Sequence, residues 1–290
     1  MRRSAFTLVE LLMVIAIIAL LAAILMPAIS GVFRTGVSVQ CMANLHQIGL
    51  GLEQYRSQNK GYFPGGRPSG TSGALQESGN GLKIRPRYYV HLWPAMGPAF
   101  SEPSTTDQRQ TLDNPAYLCP AVPWDDERNY PYGYNYQFLG NNRDNLAGSG
   151  TINYPVSMND IKMPALTVAV ADSMGTAADY PEDARQPYSA KSNDYDRYGN
   201  HGWTLDPPHL PGGNYVSANP DVAGHRSSVH GRHNGKANVL FVDGHCEALT
   251  PQELGYNVDE DGRVLHDGDN KLFSGDGTDR LPPTAGETGE

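Results

Sequence analysis

Residues 6–26 read FTLVELLMVIAIIALLAAILM, an apolar run interrupted by one charge, Glu10. As a helix the run reaches roughly 30 Å, the thickness of a bilayer's hydrocarbon core. Arg2 and Arg3 stand ahead of it, on the side that basic residues keep cytoplasmic. The segment is therefore predicted to span a membrane. A carboxylate deep in a bilayer costs about 2.5–3.5 kcal/mol on insertion scales, so Glu10 calls for a partner. An ordinary secretory signal would have an apolar core of about 7–15 residues and then small residues such as Ala28-Ile29-Ser30, leaving a chain that starts at Gly31. The longer apolar run, its continuation past Pro27 and the presence of Glu10 argue against that reading.

Beyond Pro27 the positions Val37, Cys41, Leu45, Ile48, Leu52 and Tyr55 recur at steps of three and four, the spacing of one buried helix face. The pattern predicts a helix to about Ser57, close to 80 Å long if unbroken. Its first half suits a membrane, and its second half suits packing under a globular head. Pro27 removes a hydrogen bond and Gly31, Gly36, Gly49 and Gly51 weaken the helix, which predicts a bend or a melted stretch over 27–36.

The chain has 290 residues and a net charge of −9, with no Lys/Arg cluster beyond the N-terminus. That charge excludes a general nucleic-acid surface. With 32 Gly, 22 Pro and 16 Tyr, the composition suggests a loop-rich head with a tyrosine-decorated surface. Residues 58–82 read as a long loop. Short apolar groups at Tyr88–Trp93, Ala116–Cys119 and Tyr132–Leu139 suggest strands or turns. The clearest strand is Leu166–Asp172, with Ala237–Asp243 as its mate. Residues 173–228 look like a polar surface insertion, and the Gly/Asp-rich tail 255–290 is expected to fray from about 274. The fold class is then α+β, a long N-terminal helix packed on a mainly antiparallel sheet. The division is 1–5 as a leader, 6–57 as the helix, 58–254 as the head and 255–290 as the tail.

Ala5-Phe6-Thr7-Leu8-Val9-Glu10 followed by the apolar run resembles the class III signal of type IV pilins and type II secretion pseudopilins. The resemblance implies cleavage by a prepilin peptidase between Ala5 and Phe6 and methylation of the new Phe6 amine. It also implies that Glu10 pairs with that amine on a neighbouring subunit. This chain has Ala5 where the family usually has Gly. A second resemblance, to the H-x9-DG signature of a prepilin-processing-associated head, rests on His233 through Asp243-Gly244, with Cys41-Met42-Ala43-Asn44-Leu45 and Leu118-Cys119-Pro120 beside it. The three cysteines Cys41, Cys119 and Cys246 allow one disulfide, and the residues alone do not choose the pair. The resemblance favours Cys41 with Cys119, which would tie helix to head. Cys41 as a plain apolar residue and Cys246 as the true partner remain alternatives.

Asn234-Gly235 is a hairpin signal, placing His233 before a turn and Asp243-Gly244-His245 at the end of the following strand. Alternation puts Asp243 and His245 on one face, and a neighbouring strand end would add Asp172. Two imidazoles and two carboxylates suit a divalent metal of the Zn, Mn or Fe type. The competing reading makes Asp243-Gly244 a turn and the histidines structural. His201, His209, His225 and His230 read as surface residues. Asn257, Asp259 and Asp261 copy the first half of a calcium loop, and Asp267 is a further candidate, but Gly268 stands where the closing Glu belongs. No cofactor is required by the pattern.

The resemblance implies a structural, non-catalytic subunit, placed in the inner membrane and then in a periplasmic or extracellular filament with its head outside. Its partners would be copies of itself, related minor pilins, the prepilin peptidase and the inner-membrane assembly machinery. A membrane-tethered metal-dependent enzyme and a ligand-binding head at a filament tip are the alternatives.

Overall fold

The structure is a computed structural model, and it describes residues 7–65, 76–77, 83–84, 87–99, 112, 114–122, 130–140, 142–144, 151–185, 202–211 and 226–283. The long helix α1 (Leu8–Gln58) is continuous. The melted stretch expected over 27–36 is absent: the chain stays α-helical through Pro27 and on to Gln58, and Asn59 caps the end by donating its backbone N–H to the Arg56 and Tyr55 carbonyls. Loss of one bond at Pro27 does not break the run, because the ladder on either side continues the helix.

Two short helices follow where strands or turns were expected, α2 (Tyr88–His91) and α3 (Trp93–Met96). The segment rich in β-favouring Tyr and Val turns helical because Tyr88, Tyr89 and Val90 all find core contacts in one tight turn, a tertiary override of local preference. The small hairpins β1 (Gln76–Glu77) with β2 (Lys83–Ile84) and β4 (Asn142–Asp144) with β5 (Thr151–Asn153) lie outside the main sheet. That sheet runs β3 (Tyr132–Tyr134), β6 (Val168–Gly175), β8 (Ala237–Phe241), β9 (Cys246–Leu249), with β7 (Ser228–Val229) paired to the end of β6, and every pairing is antiparallel. A last hairpin joins β10 (Asn257–Val258) to β11 (Val264–Leu265).

The pairing of the two strands legible in the sequence fixes the geometry of the head. Ala171 faces Val239 and Val168 faces Phe241, so the end of β6 lies beside the start of β8. Cys41, Leu45, Ile48 and Leu52 of α1 pack on this sheet. A second cluster, including Val168, Val239, Leu254, Tyr256 and Phe273, fills the other side.

Three expectations from composition are corrected here. Tyr88, Tyr89, Tyr117, Tyr130, Tyr132, Tyr134, Tyr136 and Tyr256 are core residues, not surface decoration. Their rings can be buried because their hydroxyls find acceptors: Tyr88 donates to the Tyr132 carbonyl (3.0 Å), Tyr134 to that of Pro64 (3.0 Å) and Tyr256 to that of Asp206 (2.5 Å). The supposed surface insertion begins inside β6, and its residues Trp203, Leu205 and Leu210 are buried. Its Asp206 is buried too, accepting from Tyr136 (2.8 Å) and from the Ser227 backbone (3.0 Å). The tail does not fray at 274: Phe273 and Asn270 are fully buried, and Val168 donates its backbone N–H to the Leu272 carbonyl at 2.7 Å.

Gly133 in β3 supplies a test of this packing. A Cβ there would stand 2.5 Å from the Thr204 carbonyl oxygen, a backbone atom with nowhere to go. Gly133→Ala is expected to cost about 2–3 kcal/mol, as overpacking does, read as a lower urea midpoint of the full chain in detergent with an unchanged slope.

Candidate functional site: the bare half of the helix and its buried anchor

The apolar half of α1 begins with a capping box. Thr7 Oγ1 accepts from the Glu10 N–H at 3.3 Å, and Glu10 Oε2 accepts from the Thr7 backbone N–H and hydroxyl, both at 2.8 Å. Glu10 thus already has a local task, satisfying N–H groups that a helix start leaves open. Ala5 and Phe6 lie outside the described residues. From Leu8, 74% exposed, to Met26, 72% exposed, the helix buries nothing in its most apolar window of 18 residues. So large an apolar surface is unstable against water and demands lipid or another apolar partner.

The other half is anchored by a buried polar node. Cys41 of α1 is joined by a disulfide to Cys119, with Cα atoms 5.3 Å apart and a sequence separation of 78. Ser38 donates to the Asn238 side-chain oxygen at 3.1 Å, and Asn238 returns a bond to the Ser38 carbonyl at 3.2 Å. Asn44 donates to the Leu118 carbonyl at 2.5 Å. Below Asn238 sits Asp172, fully buried in the middle of β6. Its Oδ2 accepts from the Asn238 backbone N–H (2.7 Å) and faces His233 Nε2 at 3.2 Å. The same His233 Nε2 lies 3.7 Å from Cys119 Sγ. Arg232, its Nε 3.8 Å from Asp172 Oδ1, supplies the opposite charge; burial lowers the guanidinium pKa below its ordinary value and Asp172 opposes that shift. Arg232 is also held by bonds to the Pro131 carbonyl (3.2 Å) and to the Ser173 carbonyl.

The four side chains expected to hold a divalent metal do not form one set. Asp172 and His233 are together at the start of β8, while Asp243 and His245 are together at its far end, where His245 Nδ1 meets Asp243 Oδ1 at 2.6 Å on the surface. The length of β8, five residues, puts about 17 Å between the pairs. The error lay in direction: an antiparallel neighbour brings its end to the other strand's beginning. Asp243-Gly244 makes the turn between β8 and β9, with Gly244 N–H bonded to the Phe241 carbonyl at 3.0 Å. At the other end Asn234 and Gly235 take φ of 55° and 81°, the backbone that a two-residue hairpin turn requires.

The calcium candidates do not converge either. Asp259 Oδ1 is used by the backbone N–H groups of Asp261 (3.0 Å) and Arg263 (2.8 Å), and Asn257 donates to Asp267 at 3.1 Å. These acids close the β10–β11 hairpin on itself. Among the described residues, the group of three metal-type donors that all lie within 4.8 Å of one another is Cys41, Cys119 and His233. Asn44, Asn238 and Arg232 were not singled out from the sequence. Asn44 had a signal, a polar residue on the buried stripe between Cys41 and Leu45; Asn238 and Arg232 had none that periodicity could supply.

Of the histidines read as surface residues, His201 and His225 lie outside the described residues, and His230 is drawn into the structure. Burial, helped by Arg232, Arg185 and His233, puts the His230 pKa well below 6.5, and burial brings that of His91 in α2 down to about 4. Both bind a proton more weakly folded than unfolded. Their contribution to stability is therefore complete above pH 6.5 and is lost as pH falls toward 4. His91 alone should cost on the order of 2 kcal/mol between pH 7 and pH 4.5. Urea midpoints at the two values check this, and His91→Gln should flatten the difference.

No curated protein and no solved structure matches the chain. Residues 1–26, by contrast, match the model of the prokaryotic N-terminal methylation motif, so the exposed apolar helix opens with a signal of the prepilin type.

Proposed function

We propose that the protein is a structural subunit, without catalytic activity of its own, of a type IV pilus-like filament or a type II secretion-like pseudopilus. Prepilin peptidase removes residues 1–5, Phe6 is methylated, and the chain waits in the inner membrane with its head outside until the assembly machinery adds it to a periplasmic or extracellular filament. Its partners there are further copies and related minor pilins.

One observation carries this reading. A helix bearing the methylation motif at its start leaves an apolar surface bare from Leu8 to beyond Met26 while its other half is locked into a folded head. A lipid bilayer covers that surface before assembly, and the same half of other subunits covers it afterwards. Intact-mass analysis of the protein from the native membrane tests the proposal: it should begin at methylated Phe6. A mature chain that begins at Met1 or at Gly31 would refute it.

A further inference from the structure

The disulfide between Cys41 and Cys119 does not account for what is packed against it. A structural bridge needs only apolar neighbours, yet His233 Nε2 stands 3.7 Å from Cys119 Sγ. Asp172 Oδ2 stands 3.2 Å beyond the same nitrogen. Burying an imidazole and a carboxylate is costly unless they are paired, and here they are paired with each other against the bridge. Asp172 Oδ1 is buried and accepts no hydrogen bond.

We propose that the reduced form of this site is a metal centre, in which Cys41, Cys119 and His233 hold a zinc-type divalent ion and Asp172 is the nearest fourth donor. The donor set is two sulfurs, a nitrogen and an oxygen, which suits tetrahedral zinc. Two of its spacings suit it as well. The Cys41 and Cys119 sulfurs have to part from bonding distance to about 3.8 Å, and Asp172, which is not among the donors within 4.8 Å of one another, has to close on the ion. With zinc bonds of about 2.3 Å to sulfur and about 2.0 Å to nitrogen and oxygen, tetrahedral edges come to about 3.6 Å for S···N and about 3.3 Å for N···O. The observed separations are 3.7 Å and 3.2 Å. The support around the donors is already built: Asn238 donates its backbone N–H to Asp172 Oδ2 at 2.7 Å, as ligating carboxylates require.

Charge is balanced in both forms. With the disulfide closed, Asp172 and Arg232 cancel. With the ion bound, two thiolates and a carboxylate against a divalent cation leave one negative charge, which Arg232 again cancels. The exchange consumes one dithiol reductant: its two thiols become a disulfide, the Cys41–Cys119 bond opens, and two protons leave as the thiolates take the metal. In either form α1 stays fastened to the head at Cys41, by a covalent bond or through the ion. This inference does not depend on filament assembly, since it concerns the single chain.

The test uses the full chain in detergent with Cys246→Ser, so that the only thiols are the proposed ligands. After reduction with a phosphine and removal of oxygen, cobalt(II) is added and then zinc(II). One cobalt per chain is expected, with thiolate-to-cobalt charge-transfer absorption and the intense visible bands of a tetrahedral ion, all bleached by zinc. The oxidised chain should show none of this, a comparison that needs no mutation in the site. His233→Ala should weaken binding by at least roughly tenfold, with far-UV circular dichroism confirming that the variant is folded. Absence of cobalt binding by the reduced chain, weak bands of a six-coordinate ion, or binding unchanged in Cys119→Ser would each overturn the proposal.

Discussion

Glu10→Ala is expected to leave the protein processed and inserted in the membrane but absent from sheared filaments. Removing the carboxylate takes the only charge out of the apolar run of α1, which eases insertion, by less than the about 2.5–3.5 kcal/mol that a charge costs at a helix centre. The half of the capping box that Glu10 supplies is lost with it, while Thr7 Oγ1 still accepts from the backbone N–H of residue 10. Neither change harms a monomer in a bilayer. In a polymer, the freed amine of Phe6 would be buried without its acid, and breaking one side of a buried pair costs about 3–5 kcal/mol. At about 1.4 kcal/mol per factor of ten, this corresponds to a loss of on the order of 100-fold or more in subunit affinity. Membrane fractionation beside immunoblots of sheared material measures both halves of the expectation. Normal filaments from the variant would remove Glu10 from the mechanism.

Asp172→Ala should be the most damaging change in the head. Asp172 accepts from the Asn238 backbone at 2.7 Å, meets His233 at 3.2 Å and faces Arg232 at 3.8 Å, all out of contact with water. Its removal strands the Arg232 cation and leaves a strand N–H without an acceptor, for a loss of about 3–5 kcal/mol. Asp172→Asn keeps an oxygen for Asn238 and should lose less. The double change Asp172→Ala with Arg232→Ala should cost less than the two single changes summed, because the cation goes with its partner. Urea denaturation of the full chain in detergent reads all four proteins.

The long helix was legible because apolar residues at steps of three and four from Val37 to Tyr55 have few other interpretations. Strands β6 and β8 were legible for a related reason, short β-branched runs bounded by polar residues. The site was legible only in pieces. His233 and Asp243 look like one motif because nine residues separate them, yet that spacing is a five-residue strand with a hairpin turn at each end. The motif therefore spans the strand instead of meeting at one point. The buried tyrosines were missed because composition counts hydroxyls without knowing which carbonyls will receive them. Residues 202–211 and 255–283 were misjudged for the same reason: a segment with few apolar residues can still be pinned by one or two, as Leu205 and Phe273 show.

The position of the Cys41 bridge also bears on how the molecule carries force. Among the described side chains, Cys41 is the first fully buried one met along α1 from its bare end, ahead of Leu45, Ile48 and Leu52. A pull entering through the lower rod arrives at a covalent bond before it reaches those contacts, and it passes through Cys119 into the head. Peeling α1 off the sheet one turn at a time is thereby stopped after the Val37 and Ser38 contacts, before the Cys41–Leu52 face is reached.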